Sequence, residues 1–146
     1  MNAALRLWFA RLLIGAVLLI NVQCAALFIS APADYAPGFE LSGAVGEAML
    51  RGMGVLFLMW NVPYAIATLD PLKHRLSHYE AIAMQIIGVL GESWILWKLP
   101  ASYPVAAASI TRFIIFDGAG LLALLLALWI LRLRRYPDRK GVANAQ

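Results

Sequence analysis

Four stretches of about 20 or more largely apolar residues, parted only by short breaks, constrain this chain more than any other feature. They cover residues 8–30, 44–69, 78–99 and 105–131. A helix that crosses a bilayer needs roughly 20 mostly apolar residues, so each stretch is long enough to span. Composition agrees: 62% of the 146 residues are hydrophobic and 14% charged, against about 45–50% and about 25% in an average soluble domain. A small domain has too much surface for its volume to hide that much apolar area. An ordinary water-soluble enzyme is therefore excluded, and so is a disordered chain, which would be poor in apolar residues. The expected fold is all-α, a four-transmembrane-helix bundle forming one membrane domain over 1–146, with no room for a separate soluble domain. A membrane barrel is not expected, because no segment keeps a two-residue alternation.

The breaks carry their own signals. Pro32, Asp34, Pro37 and Gly38 interrupt the chain after the first span, and Asp70-Pro71 ends the second. Ser77 and Glu80 have capping-box spacing and predict a helix start there. Pro100 ends the third stretch, and Pro104 suits the first turn of the fourth. Pro63 removes one helical hydrogen bond from the second span and frees the Met59 carbonyl, so a kink is expected just past Asn61.

Charge sets the expected orientation. Arg6, Arg11, Lys73, Arg75 and the basic tail 132–146 flank one side, while the first connection holds Asp34, Glu40 and Glu47 and no Lys or Arg. Positive flanks face the cytoplasm, which puts both termini inside a bacterial-type inner membrane and connections 32–43 and 100–104 outside. Trp8 and Trp129 then mark the inner interface, Trp97 and Tyr103 the outer one. The net charge of +4 is mostly this orientation signal, and nucleic acid is not an expected partner. Arg6, Arg11, an apolar run and Ala31-Pro32-Ala33 imitate a secretory signal, but the run is too long and Pro32 sits awkwardly in the site, so the segment is expected to stay as a span.

Several chemistries lack their residues. One cysteine, Cys24, cannot run dithiol–disulfide exchange within one chain, and the polar Asn21-Val22-Gln23 before it does not suit a lipoprotein site. Two histidines, His74 and His78, lie four apart beside one connection; that excludes haem ligands on opposite helices. The pair would share a helix face and could hold zinc, but no third ligand is near in sequence, so they read as interfacial polar residues. No metal site is expected, and no phosphate loop, dinucleotide fingerprint or nucleophile elbow is present.

The informative residues are those a bilayer rejects. A charge at mid-membrane costs at least about 2.5–3.5 kcal/mol and usually faces protein, water or a partner. Three stripes with steps of three and four collect such groups: Glu47, Arg51, Gly54, Leu58 and Asn61; His78, Ala81, Gln85, Gly88 and Glu92; and Ser109, Arg112, Phe116 and Gly120, bordered by Asp117. Each mixes polar groups with glycine, which lets membrane helices approach closely, so these faces are expected to turn inward. Counting about 1.5 Å per residue, Gln23, Glu92 and Arg112 fall in one layer, with a Glu92–Arg112 ion pair and Arg51 above it. Asn61, Gln85 and Asp117 fall in a deeper layer, where Asp117 is expected to hold a proton or to reach Arg112 through a bent side chain. Met59, Trp60, Trp94 and Trp97 are candidates to flank an apolar pocket, though lipid contact or ordinary packing also accounts for them. The connection 33–40 is expected to lie at the interface and cap the bundle, with partner docking as the alternative.

The layout resembles the DoxX-like group of small bacterial inner-membrane proteins, which have four helices in about this length and scattered intramembrane polar residues. The resemblance covers most of the chain. Arg51-Gly52-Met53-Gly54, Met84-Gln85 and Gly91-Glu92 contain no motif specific to a member, so no functional residue is carried over. The resemblance implies a membrane subunit sometimes associated with quinone-linked or redox partners. The functional expectation is a non-enzymatic accessory subunit or a binder of an apolar ligand such as lipid or quinone. Its partners would be the bilayer and a membrane protein or a second copy of the chain. A small transporter or proton-conducting element using Glu92, Arg112 and Asp117 is the alternative, and an enzyme with Glu92 or Asp117 as general acid or base a third. The ligand or proton-pathway candidates are Arg51, Asn61, Gln85, Glu92, Arg112 and Asp117, with no catalytic residue assigned.

Overall fold

The computed structural model describes residues 2–132; residues 133–146, most of the basic tail, lie outside them. Within that range the chain is all-helical: α1 (Ala3–Ser30), α2 (Pro32–Tyr35), a 3-10 turn (Ala36–Phe39), α3 (Gly43–Trp60), α4 (Val62–Leu69), α5 (Arg75–Lys98) and α6 (Pro104–Arg132). Three helical segments, Ala3–Ser30, Gly43–Leu69 and Pro104–Arg132, are long and apolar enough to cross a membrane. The protein is thus a helical membrane protein by length and composition.

Local chemistry explains most boundaries. Asn2 Oδ1 accepts the Leu5 N–H at 2.8 Å and caps α1. Pro104 occupies the first position of α6, as expected. The second apolar stretch breaks at Asn61, two residues before Pro63, into α3 and α4. The capping box is not used: α5 starts at Arg75, so Ser77 already lies in its first turn. Asp70 Oδ1 accepts the Leu72 and Lys73 N–H groups at 2.9 and 3.1 Å, and the Asp70 carbonyl accepts that of His74. This compact turn carries the chain into the helix ahead of Ser77.

α1 packs against α3, α4 and α6, and α5 packs against α4 and α6. α3 leans on α1 and on α2 and stands away from α5, so the break at Asn61 splays the second stretch. At the end where α1 begins and α6 finishes, the interior is filled by Ala10, Ile14, Val17, Ala67, Ala81, Ile82, Leu124 and Ala127. Two polar ties cross this half. Arg11 Nε donates to the Thr68 carbonyl at 2.9 Å, joining α1 to α4. Buried His78 donates from Nε2 to the Leu124 carbonyl at 3.1 Å, joining α5 to α6. His78 is a core residue rather than an interfacial one, and its Nε2 is already committed.

The connection after α1 caps the other end of the bundle. Ser109 donates its hydroxyl to the Gly38 carbonyl, and Glu40 accepts the Ala106 N–H at 3.2 Å at the start of α6. A carboxylate there also complements the positive end of the helix dipole. Glu40 holds a left-handed backbone (φ 57°) to reach it. Gly54 marks the closest α1–α3 approach: an added Cβ would stand 2.9 Å from the Ala25 carbonyl oxygen and 2.8 Å from Ile29 Cγ1.

Candidate functional site

Because α3 and α5 diverge while the other helices stay packed, a cavity of about 1010 Å³ opens in the half of the bundle nearest the connection. This is at the top of the range for small-molecule sites, about 300–1,000 Å³. Its mouth lies between Leu56 and Trp60 of α3 and Ile87 and Ile95 of α5, all lining it and all exposed on the outer surface. The wall is an aromatic cluster around Phe28, whose ring lies 5.7–6.2 Å from those of Tyr35, Phe39, Phe57 and Phe113. Tilted and edge-on contacts of this kind hold rings in place beyond their area burial.

The floor is polar and tightly fitted. Tyr64, 2% exposed, donates its hydroxyl toward both the Ala81 carbonyl (3.1 Å) and Gln85 Oε1 (3.0 Å). Gln85 Nε2 donates to the Asp117 carbonyl at 3.3 Å. Two glycines make this possible by reciprocal fit. A Cβ on Gly120 of α6 would collide with the Gln85 amide, and a Cβ on Gly88 of α5 would collide with the Asp117 carboxylate. Each polar side chain lies in the gap left by the opposite helix's glycine.

Five of the six residues singled out from the sequence line this cavity: Asn61, Gln85, Glu92, Arg112 and Asp117. The α5 stripe is oriented as expected, with His78, Ala81 and Gln85 buried and Gly88 and Glu92 at the cavity. The α3 stripe is not. Only its Gly54 and Asn61 are buried; the other buried positions of α3 are Gly46 and Leu50, so the inward face is offset from the stripe by less than one residue step of roughly 100°. Arg51 is thereby placed outside the cavity, exposed and 3.4 Å from Glu47. That is the only ion pair among the described residues, so neither the Glu92–Arg112 nor the Asp117–Arg112 pair is present.

The reason lies on α6, whose inward positions include Ala106, Ser109 and Gly120. Arg112 sits on the flank, exposed, and turns back one turn to donate to Ser109 Oγ at 2.7 Å. Gln23 is exposed and leaves the layer assigned to it, whereas Asn21 lines the cavity. Of the pocket-flanking candidates only Trp60 lines the cavity; Met59, Trp94 and Trp97 are exposed elsewhere.

Sequence reasoning missed Tyr64 and the phenylalanine cluster. Tyr64 does follow Asn61 by three residues, which is the signal that could have placed it on the same face. The phenylalanines come from distant parts of the chain, and no spacing rule connects them. No protein-family model matches this chain, and no curated protein or solved structure matches it either. Among the described residues no three His, Cys, Asp or Glu side chains gather as metal ligands.

Proposed function

We propose that this protein is a four-span bundle with both termini cytoplasmic, and that its cavity binds an apolar ligand drawn from the bilayer. The observation that carries the reading is the aromatic-lined cavity opening sideways between α3 and α5. A mouth rimmed by exposed apolar side chains admits a molecule from lipid more readily than one from water. The closed apolar core beneath the Tyr64–Gln85 floor favours binding over conduction, since a proton or ion path would have to cross it.

Three features support the fourth span and the orientation. α5 is 24 residues long, about 36 Å at 1.5 Å per residue. Its polar stripe faces the interior, while Ile86, Ile87, Leu90, Trp94 and Ile95 face out. Arg6, Arg11, Lys73 and Arg75 gather at the end opposite Asp34 and Glu40, with exposed Trp8 and Trp129 at that basic end and Trp97 and Tyr103 at the other.

The test is gentle-detergent purification followed by mass spectrometry of the organic extract, comparing the native chain with Gly91→Phe. Gly91 lines the cavity and an added Cβ there meets nothing within 4 Å, so a larger side chain starts into open space. A lipid or quinone retained near one per chain by the native protein and lost by the variant is the expected result. Equal retention by both sinks the reading, and a co-purifying protein with no retained small molecule would point to an accessory subunit instead. A cytoplasm-restricted reporter fused beyond residue 132 should be active if the orientation is right.

A further inference from the structure

The cavity contains more hydrogen-bond acceptors than it satisfies. Asn61 is 5% exposed and lines the cavity; its Nδ2 donates to the Phe57 carbonyl, but its Oδ1 is buried without a partner. Glu92 Oε2 is likewise buried without a partner. The Asp117 carboxylate receives no hydrogen bond among the described residues and borders the same space. Buried polar atoms are rarely left unpaired, so the orphaned oxygens of Asn61 and Glu92 call for donors, and the half-buried Asp117 carboxylate has room to accept another from an occupant.

Glu92 and Asp117 lie on adjoining levels of the cavity, with Asn61 on the floor side of them. Gly88 faces the Asp117 carboxylate, and Glu92 is one helical turn, about 6 Å, from Gly88 along the same face of α5. Asn61 is one turn from Tyr64, which touches Gln85, itself one turn from Gly88. The charged groups lining the cavity are Asp34, Glu92, Asp117 and Arg112, and Arg112 is engaged with Ser109. Glu92 and Asp117 therefore have no ion-pair partner among the described residues, and the same cavity is walled by aromatic rings whose faces attract cations.

Resting on the reading that the cavity takes an apolar ligand, we propose that its ligand is an amphiphile with a protonated amine head. An ammonium group brings three donors and no acceptor, and Glu92 and Asp117 offer it carboxylate acceptors in the same cavity. The alkyl or aromatic body fills the Phe28 cluster and leaves through the α3–α5 mouth. A quinone head brings only carbonyl acceptors and supplies no donor to ionised Glu92 and Asp117.

The experiment uses the full chain in lipid nanodiscs and three radiolabelled probes of equal chain length: dodecylamine, dodecanol and dodecanoate. Binding to empty nanodiscs is subtracted. Saturable dodecylamine binding at least tenfold tighter than dodecanol, with dodecanoate weakest, is expected. In Glu92→Gln/Asp117→Asn the amine's advantage should shrink to threefold or less while dodecanol binding is retained, which also shows that the variant is folded. If dodecanol or dodecanoate matches the amine, or if the advantage survives in the double variant, the head-group assignment is wrong and apolar binding stands. If no probe saturates, the binding reading itself fails.

Discussion

Gly120→Ala combined with Gln85→Ala tests the reciprocal fit at the cavity floor. The added methyl in Gly120→Ala would collide with Gln85 Nε2 and stand 3.3 Å from its Cδ and 3.4 Å from Val17 Cγ1. Gln85 is 4% exposed and held by Tyr64 and the Asp117 carbonyl, so its amide must give up both bonds to make way for the methyl. Overpacking costs about 1–3 kcal/mol, a lost bond with a stranded buried partner about 1–3 kcal/mol more, and alanine's better helix propensity returns about 1 kcal/mol. The net expectation is a loss of about 1–5 kcal/mol. Gln85→Ala alone should cost about 1–3 kcal/mol through its lost bonds. In the double variant the methyl enters the space the amide vacated, and Tyr64 keeps the Ala81 carbonyl. The combined loss should fall short of the sum by about 1–2 kcal/mol, within the range for residues in contact. Reversible unfolding in mixed detergent micelles, followed by circular dichroism, measures each corner of the cycle. Additivity within about 0.5 kcal/mol, or a Gly120→Ala protein as stable as the native one, would refute the fit.

Gly88→Ala should be milder than Gly120→Ala in the same assay, because the Asp117 carboxylate it displaces borders open cavity and can turn into it. Gly54→Ala meets a backbone oxygen rather than a mobile tip, so α1 and α3 must separate, and a loss of about 1–3 kcal/mol is expected from thermal unfolding. His78→Leu removes the bond to the Leu124 carbonyl, which keeps its own helical partner, and should cost about 0.5–1.5 kcal/mol, with faster hydrogen exchange where α5 meets α6. The Asp70 carboxyl lies below its usual range, chiefly through the Lys73 N–H bond, helped by the Leu72 N–H and the His74 and Lys73 charges, with desolvation opposing. A lowered folded value means stability that is present above the ordinary carboxylate range, near pH 4, and lost as pH falls through the lower folded value. Thermal scans across that acid range should show a steeper fall in Tm for the native chain than for Asp70→Asn, and equal slopes would disprove the role.

Much of this was legible in the sequence because it depends on local chemistry. Pro104 at the start of α6, the break beside Pro63 and the inward stripe from His78 to Glu92 each follow from fixed φ, a missing N–H or the 3.6-residue period. The failures came where periodicity was asked to fix a rotation. Glu47, Arg51, Gly54 and Asn61 share a stripe, yet only Gly54 and Asn61 are buried, and α3 packs with Gly46 and Leu50 inward beside Gly54. Arg51 then keeps its charge satisfied at the surface with Glu47, one turn away. The Glu92–Arg112 pair failed for a related reason: equal depth is not equal azimuth, and Arg112 found a nearer acceptor in Ser109.

The sequence by itself determined that this chain is helical, apolar enough for a membrane, broken at Asn61–Pro63, and supplied with a few polar residues that lipid alone does not explain. Those properties are fixed by hydropathy, length and backbone chemistry, all of which act within a few residues. Only the tertiary structure decided that α3 swings away from α5 to leave a cavity and that Phe28, Phe39, Phe57 and Phe113 meet around it. It also decided that Asn61 and Glu92 keep unpartnered oxygens beside that space. These outcomes depend on helix rotation and on glycine-sized gaps between segments distant in sequence, quantities that a residue pattern along one helix does not contain.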